Sequence, residues 1–147
     1  MTTVENNSVR YIFLRDPTGD QARQIVELYR AEGWWLACDD DRNELISNLI
    51  AGSHCFVIAV EGPNVVGMGR AISDGISDAY IQDLTVRRDC RNRGIGKNIL
   101  RTLLERLRGD GITWIGLIAE PGSKNLYQRA GFHEMSEAIP MLMIEKS

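Results

Sequence analysis

The chain is poor in the residues that build metal centres and disulfide frameworks. Its two histidines, His54 and His133, stand apart, and its three cysteines, Cys38, Cys55 and Cys90, are odd in number and form no Cys-x-x-Cys pair. These counts argue against a structural zinc site, a bound metal of any kind and a disulfide scaffold. No apolar run approaches the roughly 18 residues that a membrane span requires, and the opening MTTVENNSVR carries no hydrophobic signal segment. A reducing, cytoplasmic setting with no membrane partner is therefore expected. Positive charge is also in short supply: the net charge is −3, so nucleic acid is not an expected partner.

What is present is ordinary globular material. With 147 residues, 44% hydrophobic and 25% charged, the chain is long enough to bury one core. Residues 1–8 are polar and expected to fray, and residues 9–147 read as one α/β domain without repeat or linker. Arg10 to Leu14 reads as a strand closed by Asp16-Pro17-Thr18-Gly19. Asp20 to Ala31 reads as a helix with Ala22, Ile25, Val26 and Tyr29 on one face and Gly33 as its stop. A second helix should start near Asp40 or Asp41, bury Leu45, Ile46, Leu49 and Ile50, and end at Gly52. Cys55 to Glu61 and Val65 to Ile72 form a hairpin across Gly62-Pro63-Asn64. After a central strand and helix, Ile112 to Ile118 reads as a strand and Ser123 to Ala130 as a short helix. Phe132 to Ser136 and Met141 to Ile144 read as final strands around Pro140.

One stretch organises the rest: YIQDLTVRRDCRNRGIGKNILRTLLERL, from Tyr80 to Leu107. Tyr80 to Val86 is an apolar, β-branched run of strand length. Ile95, Ile99, Leu100, Leu103, Leu104 and Leu107 fall on one face of a helical period. Between them lie Arg87, Arg88, Arg91 and Arg93, then Gly94-Ile95-Gly96-Lys97. A helix start offers unpaired N–H groups and a positive dipole end, and glycines let a bulky anion approach the backbone. The composition is that of a phosphate site. The spacing is neither Gly-x-x-x-x-Gly-Lys-Ser/Thr nor Gly-x-Gly-x-x-Gly in an N-terminal β-α-β unit, which excludes a mononucleotide P-loop and a Rossmann site.

Arg91-Asn92-Arg93-Gly94-Ile95-Gly96 resembles the Arg/Gln-x-x-Gly-x-Gly/Ala motif of the GCN5-related N-acetyltransferases (GNAT), and Leu126-Tyr127-Gln128-Arg129-Ala130-Gly131-Phe132 resembles that family's Leu-Tyr-x-x-x-Gly-Phe segment. The resemblance implies the GNAT fold: a mixed sheet of about seven mostly antiparallel strands, a splayed parallel pair at its centre, and helices on its faces. It implies acetyl-CoA as co-substrate and direct acetyl transfer to an amine. Backbone N–H groups of Arg91, Arg93, Gly94, Ile95, Gly96 and Lys97 would hold the pyrophosphate, with Asn92 in the same loop. Leu84, Thr85 and Val86 would line the pantetheine arm, and Asn125 would add a contact to the cofactor. One position departs from the family pattern: seven before the tyrosine, where Asn is frequent, stands Glu120.

Acetyl transfer needs a positioned thioester, a polarised carbonyl, a deprotonated amine and a protonated leaving thiolate. By the same resemblance Tyr127 is the candidate acid; without it, Tyr127 reads as a core residue beside Leu126 and Phe132. Asp83 is the candidate base or amine-binding carboxylate, since a charge inside an apolar strand is costly unless paired or functional; the competing reading is a structural carboxylate paired with Arg70. Trp34, Trp35 and Asp74 are candidates for the acceptor site, although paired tryptophans also commonly pack a helix onto a sheet. The Val66–Ala71 and Gln82–Val86 segments are similar to a branch that includes arylalkylamine acetyltransferases, which implies a small primary amine. A protein N-terminus or lysine is the alternative acceptor, and a non-catalytic acyl-CoA-sensing module the alternative class. Dimers are common on this fold, and Ile139 to Ile144 offers either an apolar dimer edge or core.

Overall fold

The computed structural model describes residues 8–35 and 43–145. The expected frayed terminus (apart from Ser8), the aspartate run Asp39–Asp41 and Cys38 lie outside the described residues. Two compact units are present, Met1–Leu117 and Ile118–Ser147.

The first unit is a five-stranded sheet in sequence order with helices on both faces. Strand β1 (Arg10–Phe13) pairs antiparallel with β2 (Cys55–Glu61), β2 with β3 (Asn64–Ser73) and β3 with β4 (Asp78–Val86). Helix α1 (Gly19–Ala31) starts at a capping box: Thr18 Oγ1 accepts the Gln21 N–H at 3.1 Å, and Gln21 Oε1 accepts the Thr18 N–H at 2.9 Å. Its apolar face, Ala22, Ile25, Val26, Leu28 and Tyr29, is buried as the periodicity predicts. With Ile46 and Ile50 of α2 (Asn43–Gly52) it covers Phe56, Ile58, Val60 and Met68 on one side of the sheet. The expected start of α2 falls outside the described residues, and Leu45 is 47% exposed rather than buried. The apolar stripe of α2 runs through Ile46 and Ile50, and Leu45 stands a third of a turn off it.

Strand β2 is buried on both faces because α3 (Ile95–Gly109) covers the other one, and its sequence is accordingly a continuous apolar run. Ile95, Ile99, Leu100, Leu103, Leu104 and Leu107 are all buried, each contributing about 1.5–3 kcal/mol. Gly67 and Gly69 of β3 make this approach possible: a Cβ at Gly67 would sit 2.8 Å from Ile99 Cδ1, and one at Gly69 2.9 Å from Ile99 Cγ2. Side chains at either position would push α3 off the sheet.

Strand β5 (Trp114–Gly116) pairs parallel with β4 over three residues only, from Asp78↔Trp114 to Tyr80↔Gly116. Beyond Tyr80 the strands no longer pair, leaving the β5 side of Ile81 to Val86 without a strand partner. The splayed parallel pair is therefore present, with a β5 much shorter than the expected Ile112–Ile118 strand.

The second unit contains helix α4 (Lys124–Arg129), with Tyr127 buried and in edge contact with Phe132, ring centroids 5.9 Å apart. The two final strands expected at Phe132–Ser136 and Met141–Ile144 are absent, so among the described residues the sheet has five strands and not about seven. A strand exists through its ladder bonds, and this segment has none: Met141, Leu142, Met143 and Ile144 are 75–90% exposed. The class, a mixed α/β sheet with four α-helices, is the expected one.

Candidate active site

The site begins where β4 ends. The chain leaves Val86 through a 3-10 turn at Arg88–Cys90 and enters α3 through Arg91-Asn92-Arg93-Gly94. Two residues here take positive φ, Asn92 at 63° and Gly94 at 78°. Such alternation curls the backbone so that successive N–H groups converge on one concavity. Gly94 caps α3 in the left-handed region, and a Cβ built there meets nothing within 4 Å, so the space beside it is open. The first intrahelical bond is Asn98 N–H to Gly94 C=O at 3.1 Å. The N–H groups of Ile95, Gly96 and Lys97 therefore have no intrahelical acceptor and point out along the helix axis. This cradle fits an anionic phosphate chain: a short row of backbone donors, a positive dipole end, and exposed Arg88 and Lys97 beside it.

The other loop arginines are held by carboxylates that the sequence reading did not single out. Arg91 Nε donates to the Val86 carbonyl at 3.0 Å and its Nη2 to Glu32 Oε1 at 2.8 Å; Glu32 Oε1 also accepts from Thr85 Oγ1 at 2.6 Å. Arg93 pairs with Glu61, whose carboxyl its guanidinium holds below the usual range. Glu32 had a readable signal: it follows the last turn of α1, where an acid opposes the helix dipole and needs a compensating cation. Glu61 had none, because its partner lies 32 residues on, in the loop before α3.

Strand β4 carries the second feature. Met68 pairs with Thr85 and Arg70 with Gln82, so a single β3 residue, Gly69, faces both Asp83 and Leu84. This is a β-bulge, and Asp83 sits in it at φ 57°. The bulge turns the carboxylate toward Arg70 Nε, 2.6 Å away, and the Tyr29 hydroxyl, 2.7 Å away; both donate to Oδ2. Among the described residues no hydrogen bond to Oδ1 is present, so it is open to a third donor. Burial, followed by the negative charge of Asp83, pushes the Tyr29 hydroxyl well above its ordinary range. Tyr29 in turn stacks on Trp35, centroids 4.3 Å apart and planes at 10°, and meets Trp34 edge-on at 6.0 Å. Both tryptophans pack on the core beside α1. Asp83, Tyr29, Trp34 and Trp35 thus form one connected group, and Arg70 anchors it.

Asp74 lies elsewhere, in the turn before β4 and so at the opposite end of that strand from the phosphate loop. Its Oδ1 accepts the N–H groups of Ile76 and Ser77 at 2.8 and 3.0 Å, which lower its pKa. Leu84 and Val86 are half-buried on the splayed strand, and Thr85 is buried. In the second unit Asn125 is exposed on α4. Tyr127 has its pKa raised by burial and then by the charge of Glu120. Among the described residues no group of three or more His, Cys, Asp or Glu is arranged to hold a metal ion.

Residues 8–132 match the family model described as the acetyltransferase (GNAT) family. An uncharacterised N-acetyltransferase of Porphyra purpurea is 37% identical over 141 residues, 86% of this chain and 81% of that protein. A chloroplastic serotonin N-acetyltransferase 2 of Oryza sativa subsp. japonica is 35% identical over 74 residues, 50% of this chain; the match spans only 37% of the rice protein. The solved structure of a predicted acetyltransferase with acetyl-CoA from Clostridium acetobutylicum superposes with a TM-score of 0.69 at 14% identity, covering 92% of this chain and 96% of that one.

Proposed function

Because this chain belongs to the GNAT family of acetyltransferases, we propose that it transfers the acetyl group of acetyl-CoA to a small primary amine carrying an aromatic or apolar body, by direct attack in a ternary complex. The observation that carries the proposal is the coexistence of a phosphate cradle at Asn92–Lys97 and an ion-paired carboxylate with an aromatic wall on the adjacent strand.

The N–H groups of Ile95, Gly96 and Lys97 hold the pyrophosphate, with those of Arg91, Arg93 and Gly94 and the side chain of Asn92 completing the loop. The splayed edge of β4 at Leu84, Thr85 and Val86 binds the pantetheine arm by strand-like hydrogen bonding, and Asn125 adds a contact to the cofactor. When bound, acetyl-CoA supplies the activated thioester. Asp83 Oδ1 receives the acceptor ammonium and takes one proton from it; the neutral amine then attacks the thioester carbonyl, while Arg70 and Tyr29 hold Oδ2 in place. Trp34 and Trp35 line the apolar part of the acceptor, and Asp74 stands as a more distant carboxylate for its polar end. Tyr127 protonates the leaving thiolate; this role rests on the Leu-Tyr-x-x-x-Gly-Phe motif and on a phenol hydroxyl able to donate a proton. The balance is one amide and one thiol formed from an ammonium and a thioester, with one proton released to water. An aromatic amine is supported by the Tyr29–Trp35 stack and by the name of the rice relative. A cytoplasmic or other reducing compartment suits this chemistry.

Two-substrate initial rates test the mechanism. Lines that intersect when acetyl-CoA and tryptamine are both varied are expected for a ternary complex, whereas parallel lines would mean a covalent acetyl-enzyme and overturn direct attack.

A further inference from the structure

At the far end of the sheet lies a second cavity that the acetyl-transfer reading does not use. It has a volume of about 480 Å³ and opens between the end of β1, the end of α2, the start of β2 and the last turns of α3. Arg106 lies eleven residues beyond the start of α3, so its backbone stands about 16 Å along the helix axis from the phosphate cradle. The volume falls within the roughly 300–1,000 Å³ typical of small-molecule sites.

Its chemistry is mixed in an organised way. Phe13, 41% exposed, gives the apolar surface, with the buried Leu14, Ile50 and Phe56 behind it, and Arg15 and Arg106 bring two cations. Arg106 is fixed from two sides: its guanidinium carbon stands 5.1 Å from the Phe13 ring centroid, and its Nε donates to Asp110 Oδ2 at 3.0 Å. The same Oδ2 lies 2.8 Å from His54 Nε2, so this acid is already engaged by two partners. Among the described residues the two terminal nitrogens of Arg106 have no hydrogen-bond partner and stand as a planar fork held over an aromatic face. That is the geometry that recognises a carboxylate through two parallel hydrogen bonds. Arg15 is exposed at the cavity and forms no ion pair among the described residues. Among the described residues Asp16 is the one acid lining the cavity.

We propose that this cavity is a second ligand site, separate from the acetyl-CoA site, for a small carboxylate with an apolar body. The carboxylate pairs with the Arg106 fork and Arg15, and the body lies along Phe13. Because the cavity and the phosphate cradle occupy opposite ends of α3, both ligands bind at once.

Phenylacetate is the probe, titrated into the full chain and followed by amide chemical shifts, with uncharged phenylacetamide as the isostere. The expected result is saturable shifts at residues 13–16, 50–56 and 106, binding at least about tenfold weaker for the amide, and an unchanged affinity in saturating CoA. Arg106→Gln should weaken phenylacetate about tenfold or more. Arg15→Gln, at an exposed position that the fold does not need, should weaken it several-fold and keeps the test valid if the Arg106 variant fails to fold. No saturable response up to about 10 mM, equal binding of the amide, displacement by CoA, or indifference to Arg15→Gln would each overturn the proposal.

Discussion

Replacing Asp83 with asparagine keeps the shape of the β4 bulge and removes its charge. Asparagine tolerates φ near 57° as well as aspartate does, so the backbone has no reason to relax. The amide oxygen can still accept from Tyr29, while Arg70 loses its ionic partner. The two side chains of the pair are only 16% and 21% exposed. An exposed pair is worth about 0–1 kcal/mol and breaking a buried one costs about 3–5, so a loss of about 2 kcal/mol is expected here. For a chain of this size that is a fall in Tm of about 4–8 °C. Asp83→Ala should lose about 1 kcal/mol more, because alanine resists positive φ. If Asp83 also handles the acceptor, Asp83→Asn lowers kcat/KM for the amine by about a hundredfold or more and leaves acetyl-CoA affinity unchanged. Calorimetry and initial rates on the same preparation separate the two effects. A variant that shows the Tm loss but keeps full turnover and an unchanged pH–rate profile would refute the acceptor role and leave Asp83 a structural carboxylate of the bulge.

Tyr127→Phe should lower kcat by about ten- to a hundredfold with little change in the Kd for acetyl-CoA, and full turnover across pH would remove Tyr127 as the acid. Gly94→Asp sets a negative charge beside the pyrophosphate cradle. At about 5 Å such repulsion is worth about 1–3 kcal/mol, so acetyl-CoA binding measured by titration calorimetry should weaken by about ten- to a hundredfold. Stability should also depend on pH in a defined sense. Burial raises the Tyr29 and Tyr127 hydroxyls, so what they contribute is complete below the unfolded value of about 10 and is lost as pH climbs toward the folded values. The Arg93 hydrogen bond lowers Glu61 and backbone N–H groups lower Asp74. Their contribution is present above about pH 4 and is lost as pH falls through the lowered values. Urea melts across pH should therefore show a plateau bounded by an acid limb and an alkaline limb, and Tyr29→Phe should flatten only the alkaline one.

The elements whose signals are local were legible in the sequence. The α3 stripe from Ile95 to Leu107, the α1 face and the hairpin across Gly62-Pro63-Asn64 are fixed by periodicity and turn residues, and the structure buries and pairs them as read. What escaped depends on partners distant in sequence. The bulge at Asp83 arises from register against Gly69, and nothing within Gln82-Asp83-Leu84-Thr85-Val86 marks it. Tyr29 reads as one more core position on α1, although its hydroxyl reaches Asp83, 54 residues away. The Arg91–Glu32 and Arg93–Glu61 pairs join residues 59 and 32 positions apart. At the C-terminal end, Phe132–Ser136 and the apolar run Met141–Ile144 read as strands, but propensity supplies no ladder partner. The curled loop leading into α3 was readable because glycine and helix position announce its backbone geometry.

The central claim is acetyl transfer to a small aromatic amine. Its most direct test is chromatographic separation of CoA and N-acetylated product after incubation with acetyl-CoA and tryptamine, spermidine, glucosamine 6-phosphate or a lysine peptide in turn. Chromatography avoids thiol reagents, which would also report on Cys38, Cys55 and Cys90. CoA and N-acetyltryptamine formed one for one, at a rate above that with the other acceptors, is the predicted result. Turnover confined to the peptide, or saturable acetyl-CoA binding with no product from any acceptor, would contradict it.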